Sequence, residues 1–168
     1  MKNRLEVLRA KVDDLILESG VYAGEFYSHL YSVSKFGALL ALKRGLDPEI
    51  AQASGMLHDI YQVTNGTTEQ HGARGAVVAE KILRETGLYS EEEIKTITTA
   101  IHWHSKKRKF HGPYDELLKD ADVMNHFLYN TDISDRYYSM YRHLDKGKAR
   151  YESILAELGI NGTSGLSA

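Results

Sequence analysis

Proline occurs at only two positions, Pro48 and Pro113, and both stand where a helix would begin. The proline ring removes a backbone donor and clashes with the preceding turn, so it is tolerated at the first helical position and excluded from helix interiors. The rest of the chain is free to be helical, and its apolar spacing follows a helical period. Leu5, Leu8, Val12, Leu15 and Leu17 give an apolar stripe to a first helix over about Asn3 to Ser19. A second covers about Glu25 to Arg44 and stops at Gly45, and a third, with Asp47 as its N-cap, spans about Pro48 to His58. After the turn-rich YQVTNGTTEQ comes a fourth, about Glu69 to Thr86, ended by Gly87. Ser90 with Glu93 makes a capping box for a fifth, about Glu91 to His104. A sixth runs from about Pro113 to Tyr129 and a seventh from about Asp135 to Leu158. The expected fold is all-α, a single-domain bundle of about seven helices over residues 1–160. NGTSGLSA, residues 161–168, is expected to be a flexible tail. There is no internal repeat, and no linker long enough to divide domains.

Cysteine is absent. That excludes disulfides, thiolate zinc sites and cysteine nucleophiles, and it fits a reducing compartment. Any metal must then be held by His, Asp and Glu. The N-terminal MKNRLEVLRAKVDDLILESG mixes charges with leucines, unlike a signal peptide. No stretch approaches the roughly 18 apolar residues of a membrane span, so a soluble, cytoplasmic protein is expected. Lys and Arg number 21 against 23 Asp and Glu, a balance that gives no sign of a chain-wide nucleic-acid surface. SKKRKFHG, residues 105–112, is a local exception.

The eight histidines can be sorted by helical register, because residues three, four and seven apart share a face. His29 is in line with Val33, Phe36 and Leu40, and His71 with Gly75, Val78 and Ile82. Ile94, Ile97 and Ile101 share a face with His104, whereas His102 lies about 200° away from His104 and should look outward. His29, His71 and His104 are therefore inward candidates. In GMLHDI, His58 and Asp59 stand side by side where a helix ends. The small residues Ala51, Ala53, Ser54 and Gly55 before them let neighbouring helices come close. One buried histidine is ordinarily satisfied by one hydrogen bond. Several imidazoles and carboxylates aimed into one interior carry desolvation costs that a divalent cation would relieve together. A carboxylate from the C-terminal half is offered by LKDADVMNHF, where Asp120 and Asp122 each sit about 100° to one side of Ala121, and periodicity does not choose between them.

His29, then His58-Asp59, then a distant Asp in KDAD, set in SHLYSVSKFGALLA, AQASGMLHDI, AIHWHS and LLKDADVMNHF, resembles the HD-domain superfamily of metal-dependent phosphohydrolases over roughly residues 25–130. The resemblance implies metal ligands at His29, His58, Asp59 and Asp122, since the family aspartate usually follows alanine, with Asp120 as the alternative. In binuclear branches further histidines complete a second metal site. His71 and His104 match those positions best, and with a single ion they would meet the substrate phosphate instead. The Gly-Tyr-Pro signature of the cyclic-dinucleotide branch is missing, and Asp59 is followed by Ile60-Tyr61 rather than the common Ile-Gly.

The activity implied is hydrolysis of a phosphomonoester or phosphoanhydride by a metal-activated water, with Asp59 orienting or deprotonating that water. The metal is Fe, Mn, Zn, Co or Ni, among which these ligands do not distinguish. Lys106, Lys107, Arg108 and Lys109 follow His104, and Lys106 is the first that could meet the phosphate. The expected partner is a small phosphorylated substrate, a nucleotide, with no nucleic acid and no membrane. Glu25 reads as a surface glutamate or an extra ligand. Tyr137, Tyr138 and Tyr141 read as closing the pocket and stacking a nucleobase, or as covering the core or a homodimer face. His111, His126 and His143 read as ordinary surface or core residues. The competing readings are a non-catalytic HD-type module that binds a metal or nucleotide, and a metal-free bundle. No Gly-rich phosphate loop, GxSxG elbow or HExxH motif occurs.

Overall fold

The computed structural model describes residues 3–20, 23–129 and 144–160. These form helices α1 (Arg4–Ser19), α2 (Ala23–Arg44), α3 (Pro48–Leu57), α4 (Ile60–Asn65), α5 (His71–Thr86), α6 (Glu91–Trp103), α7 (Pro113–Tyr129) and α8 (Leu144–Glu157), and the described residues contain no strand. The expected starts of the third and fifth helices are built as the sequence suggests. The Asp47 side chain accepts from Glu49 N–H at 2.8 Å with Pro48 at the first helical position, and Ser90 and Glu93 form a reciprocal capping box. In α1 the inward track is Leu8, Val12 and Ile16, an i, i+4 row, whereas Leu17, expected in the stripe, is 65% exposed.

One helix is new. Where a turn was expected after the His-Asp doublet, Ile60–Asn65 makes an isolated helix of six residues, ended by Gly66 in the left-handed conformation (φ 64°). Six residues are too few to show a helical period, and Thr64, Asn65 and Gly66 carry turn chemistry. α5 starts at His71 rather than Glu69, because Gln70 takes a positive φ of 52°. The start of the expected last helix, with Tyr137, Tyr138, Tyr141 and His143, lies outside the described residues, as does the 161–168 tail.

Two close helix approaches position the site. A Cβ on Gly55 would stand 2.5 Å from Ser34 Cα and 2.6 Å from Ser34 N, so α2 and α3 touch backbone to backbone. A Cβ on Gly72 would stand 2.9 Å from the His102 carbonyl oxygen, which sets α5 close on α6, though less tightly than α2 on α3. α2 also lies along α7. Leu30, Val33, Leu57, Ile60, Ile97, Ile101, Leu117 and Ala121 fill the space between these helices and are buried.

Candidate metal centre

The His58-Asp59 doublet is the seam between α3 and α4. His58 keeps helical angles (φ −59°, ψ −36°), Asp59 departs from them (φ −109°, ψ 18°), and His58 Nε2 ends 3.4 Å from Asp59 Oδ2. His104 likewise caps α6, and His71 opens α5. Three of the imidazoles are fixed in the same way. Nδ1 of His58, His71 and His104 each stands at hydrogen-bond distance from the carbonyl three residues earlier, Gly55 at 2.8 Å, Thr68 at 2.8 Å and Ile101 at 2.6 Å. An Nδ1–H donated to a carbonyl leaves Nε2 with a lone pair, the tautomer a metal ligand needs. Nδ1 of His29 is met by Asn125 Nδ2 at 2.8 Å.

The inner nitrogens converge on two carboxylates. His29 Nε2 and His58 Nε2 are 2.9 Å apart, and both are 3.4 Å from Asp59 Oδ2. Asp122 Oδ1 is 3.6 Å from His29 Nε2 and 3.9 Å from His58 Nε2. The other oxygen of Asp59, Oδ1, faces His104 Nε2 at 3.4 Å and His71 Nε2 at 3.7 Å, and these two nitrogens are 3.2 Å apart. Ligands at about 2.1 Å from a shared ion can stand no more than about 4.2 Å from each other, a limit every one of these separations meets. Asp59 Oδ1 and Asp122 Oδ1 are buried and accept no hydrogen bond among the described residues, a costly condition that a cation would relieve. Imidazole and carboxylate donors in this arrangement therefore fit divalent metal. Asp59 has one oxygen turned to His29 and His58 and the other to His71 and His104, which suits two ions better than one.

Electrostatics agree with that geometry. Burial alone would raise the Asp59 carboxyl, but His58, His104 and His29 around it hold it well below the usual carboxylate range. Burial would also raise Asp122, and Lys107 and His126 outweigh it. At His58 burial opposes protonation, yet Asp59 and Asp122 push it above the ordinary histidine value. At His104 burial prevails, and it is shifted down.

The structure separates residues that the sequence left together. Asp120 turns away from the histidines to pair with Arg44 (2.7 Å) and with Arg150, and Asp122 is the one that faces them. Of the basic run, Lys106 is exposed on the loop, and the residue that reaches the cluster is Lys107, whose Nζ bonds Asp122 Oδ2 and lies 3.3 Å from the His104 carbonyl. Loop residues have no period from which to choose among neighbouring lysines. Glu25 is exposed, and His102 stacks edge-on against Trp103 at 4.4 Å. His111 stacks on Trp103 and meets the buried Lys119 ammonium at 2.7 Å. His126, expected to be ordinary, instead stands with Nε2 3.1 Å from Asp122 Oδ1 and its ring 5.3 Å from that of His29. Its signal was the i, i+4 spacing from Asp122 on one helix. A cleft of about 440 Å³ lined by Arg44, Phe110, Asp120 and Arg150 shares Lys107 with the cluster.

A family model for the HD domain matches residues 26–129, more than half of the chain. Among curated proteins, the Ribonuclease Y of Clostridium kluyveri is 30% identical over 105 residues, 62% of this chain and 19% of that protein. The Ribonuclease Y of Chlorobium luteolum is 29% identical over 105 residues, 62% of this chain and 18% of that protein. The chain thus spans less than a fifth of the length of these relatives. No solved structure matches it.

Proposed function

This chain belongs to the HD-domain superfamily of metal-dependent phosphohydrolases, and on that footing we propose that it hydrolyses a phosphoester or phosphoanhydride bond of a small phosphorylated substrate, a nucleotide, in the cytoplasm. The observation that carries this reading is the pair of buried carboxylate oxygens, Asp59 Oδ1 and Asp122 Oδ1, that accept no hydrogen bond among the described residues and stand among imidazole nitrogens. His29, His58, Asp59 and Asp122, the set the family pattern implies, would hold one divalent ion, and Asp59, His71 and His104 a second. Such ions supply a water of lowered pKa and positive charge against phosphoryl oxygens.

The chain's own groups do the rest. Asp59 orients the attacking water. Lys107 holds Asp122 ionised from its outer oxygen and brings an ammonium to the rim of the centre, where a substrate phosphate would pass. The adjoining cleft of about 440 Å³ is lined by Lys107, Phe110, Arg44 and Arg150, the two arginines paired with Asp120, Glu116 and Glu157 in its wall.

Incubation with manganese, iron or cobalt and a panel of nucleotides, polyphosphates and phosphomonoesters should release phosphate from at least one member, and a chelator should abolish it. Metal bound with no release from any compound would overturn the hydrolase reading in favour of the binding module. A second reading, cleavage of an RNA phosphodiester, is favoured by the names of the relatives and by the exposed Lys106, Arg108, Lys109 and Phe110 loop. The near-neutral charge of the chain weighs against it. A labelled oligoribonucleotide in the same panel separates the two.

A further inference from the structure

His126 has no place in the ligand set that the His-Asp pattern supplies, yet it stands inside the cluster. We infer that His126 is a ligand of the ion held by His29 and Asp122, closing that ion on its Asp122 side and leaving the Asp59–His71–His104 ion to receive the substrate.

Three observations carry this, and all rest on the metal-dependent reading above. First, His29, Asp122 and His126 offer ligand atoms to one place, with His126 Nε2 at 3.1 Å and His29 Nε2 at 3.6 Å from Asp122 Oδ1, both inside the limit for ligands of a shared ion. Second, that carboxylate oxygen is buried and accepts no hydrogen bond among the described residues, although an imidazole nitrogen is so near. A nitrogen and a buried carboxylate oxygen this close are placed as two ligands of one cation would be. Third, the Lys107 ammonium stands on Oδ2, the outer oxygen of Asp122, and repels a cation there, so His126 and His29 share the ion at Oδ1.

The consequence is a division of labour. One ion takes His29, Asp122 and His126, with His58 Nε2 3.9 Å from the same Asp122 oxygen, and the other takes Asp59, His71 and His104. Metal sites crowded by protein ligands are closed, while those with three protein ligands keep a position for water or substrate. The His126 side chain is 28% exposed whereas His58 is fully buried, so His126 fills the outer position that water would otherwise hold.

Cobalt(II) titration of the full chain tests this by visible absorption, which reports ligand number and type, beside a competition measurement of affinity. The wild type should bind two cobalt ions. His126→Ala should weaken one of them by about 10–100-fold or more, the range known for losing even an outer partner of a ligand, and should alter the absorption bands. His126→Gln, closer to histidine in volume, carries the test if the alanine variant unfolds. Bands superimposable on those of the wild type would overturn the inference whether or not affinity falls, since a hydrogen bond to Asp122 would weaken binding without changing the ligand set. Absence of cobalt binding by the wild type would overturn the metal reading itself, and this inference with it.

Discussion

Asn125 on α7 stands 2.8 Å from the outer ring nitrogen of His29 on α2, and so fixes how that imidazole faces Asp59 and Asp122. The amide is buried and holds the ring from behind, as the outer partners of metal-binding histidines do. Asn125→Ala should therefore lower manganese affinity by about 10–100-fold while leaving helical content unchanged. Calorimetric titration with manganese, beside a circular dichroism spectrum, measures both, and wild-type affinity in the variant would refute the role given to Asn125.

Gly55 should not tolerate a methyl group. The added Cβ would meet Ser34 Cα at 2.5 Å and the backbone would have to part, at a cost of about 1–3 kcal/mol. Gly24 has nothing within 4 Å of the same position, and Gly24→Ala should hold or raise stability by about 0.4–1 kcal/mol. Urea midpoints of the two variants should fall on opposite sides of the wild type or, for Gly24→Ala, on it.

Lys119 is fully buried, and its ammonium binds the Lys109 carbonyl (2.8 Å), His111 Nδ1 (2.7 Å) and Glu116 Oε1 (2.6 Å). It pins the basic loop to α7. Lys119→Met leaves those acceptors unpaired, at about 1–3 kcal/mol, and should free the loop. Limited trypsin digestion should then cut within residues 106–109 faster than in the wild type, and equal rates would show that the loop is held by other means.

Acid should weaken the fold through Glu116. Burial would raise this carboxyl, but Lys119 and Arg150 hold it below the ordinary glutamate value. A group whose folded pKa is depressed adds stability above its unfolded pKa, about 4.3, and that contribution is lost as pH falls through the folded value. Urea midpoints should drop below about pH 4, and Glu116→Gln should show a shallower drop from a lower neutral-pH starting point.

Helical register was enough to place His29, His71 and His104 on inward faces, because long helices with apolar neighbours repeat their faces several times. It was silent where no period exists. The six residues of α4 are too few to repeat, and the choice of Lys107 over Lys106 depends on the path of a loop. Asp120 and Asp122 are symmetric about Ala121 on the helix, and what separates them is the position of Arg44 and Arg150, residues distant in the chain. His126 was visible as the residue one turn beyond Asp122, but its closeness to His29 depends on how α2 lies against α7, which no local pattern encodes.

The carboxylate of Asp59 is turned toward His29 and His58 with one oxygen and toward His71 and His104 with the other. Were each half to hold a cation, both would draw on the same negative charge, and loading one would alter the pull on the cation entering its neighbour. Their occupancies would then be coupled through a single side chain, and substitution at position 59 would disturb both.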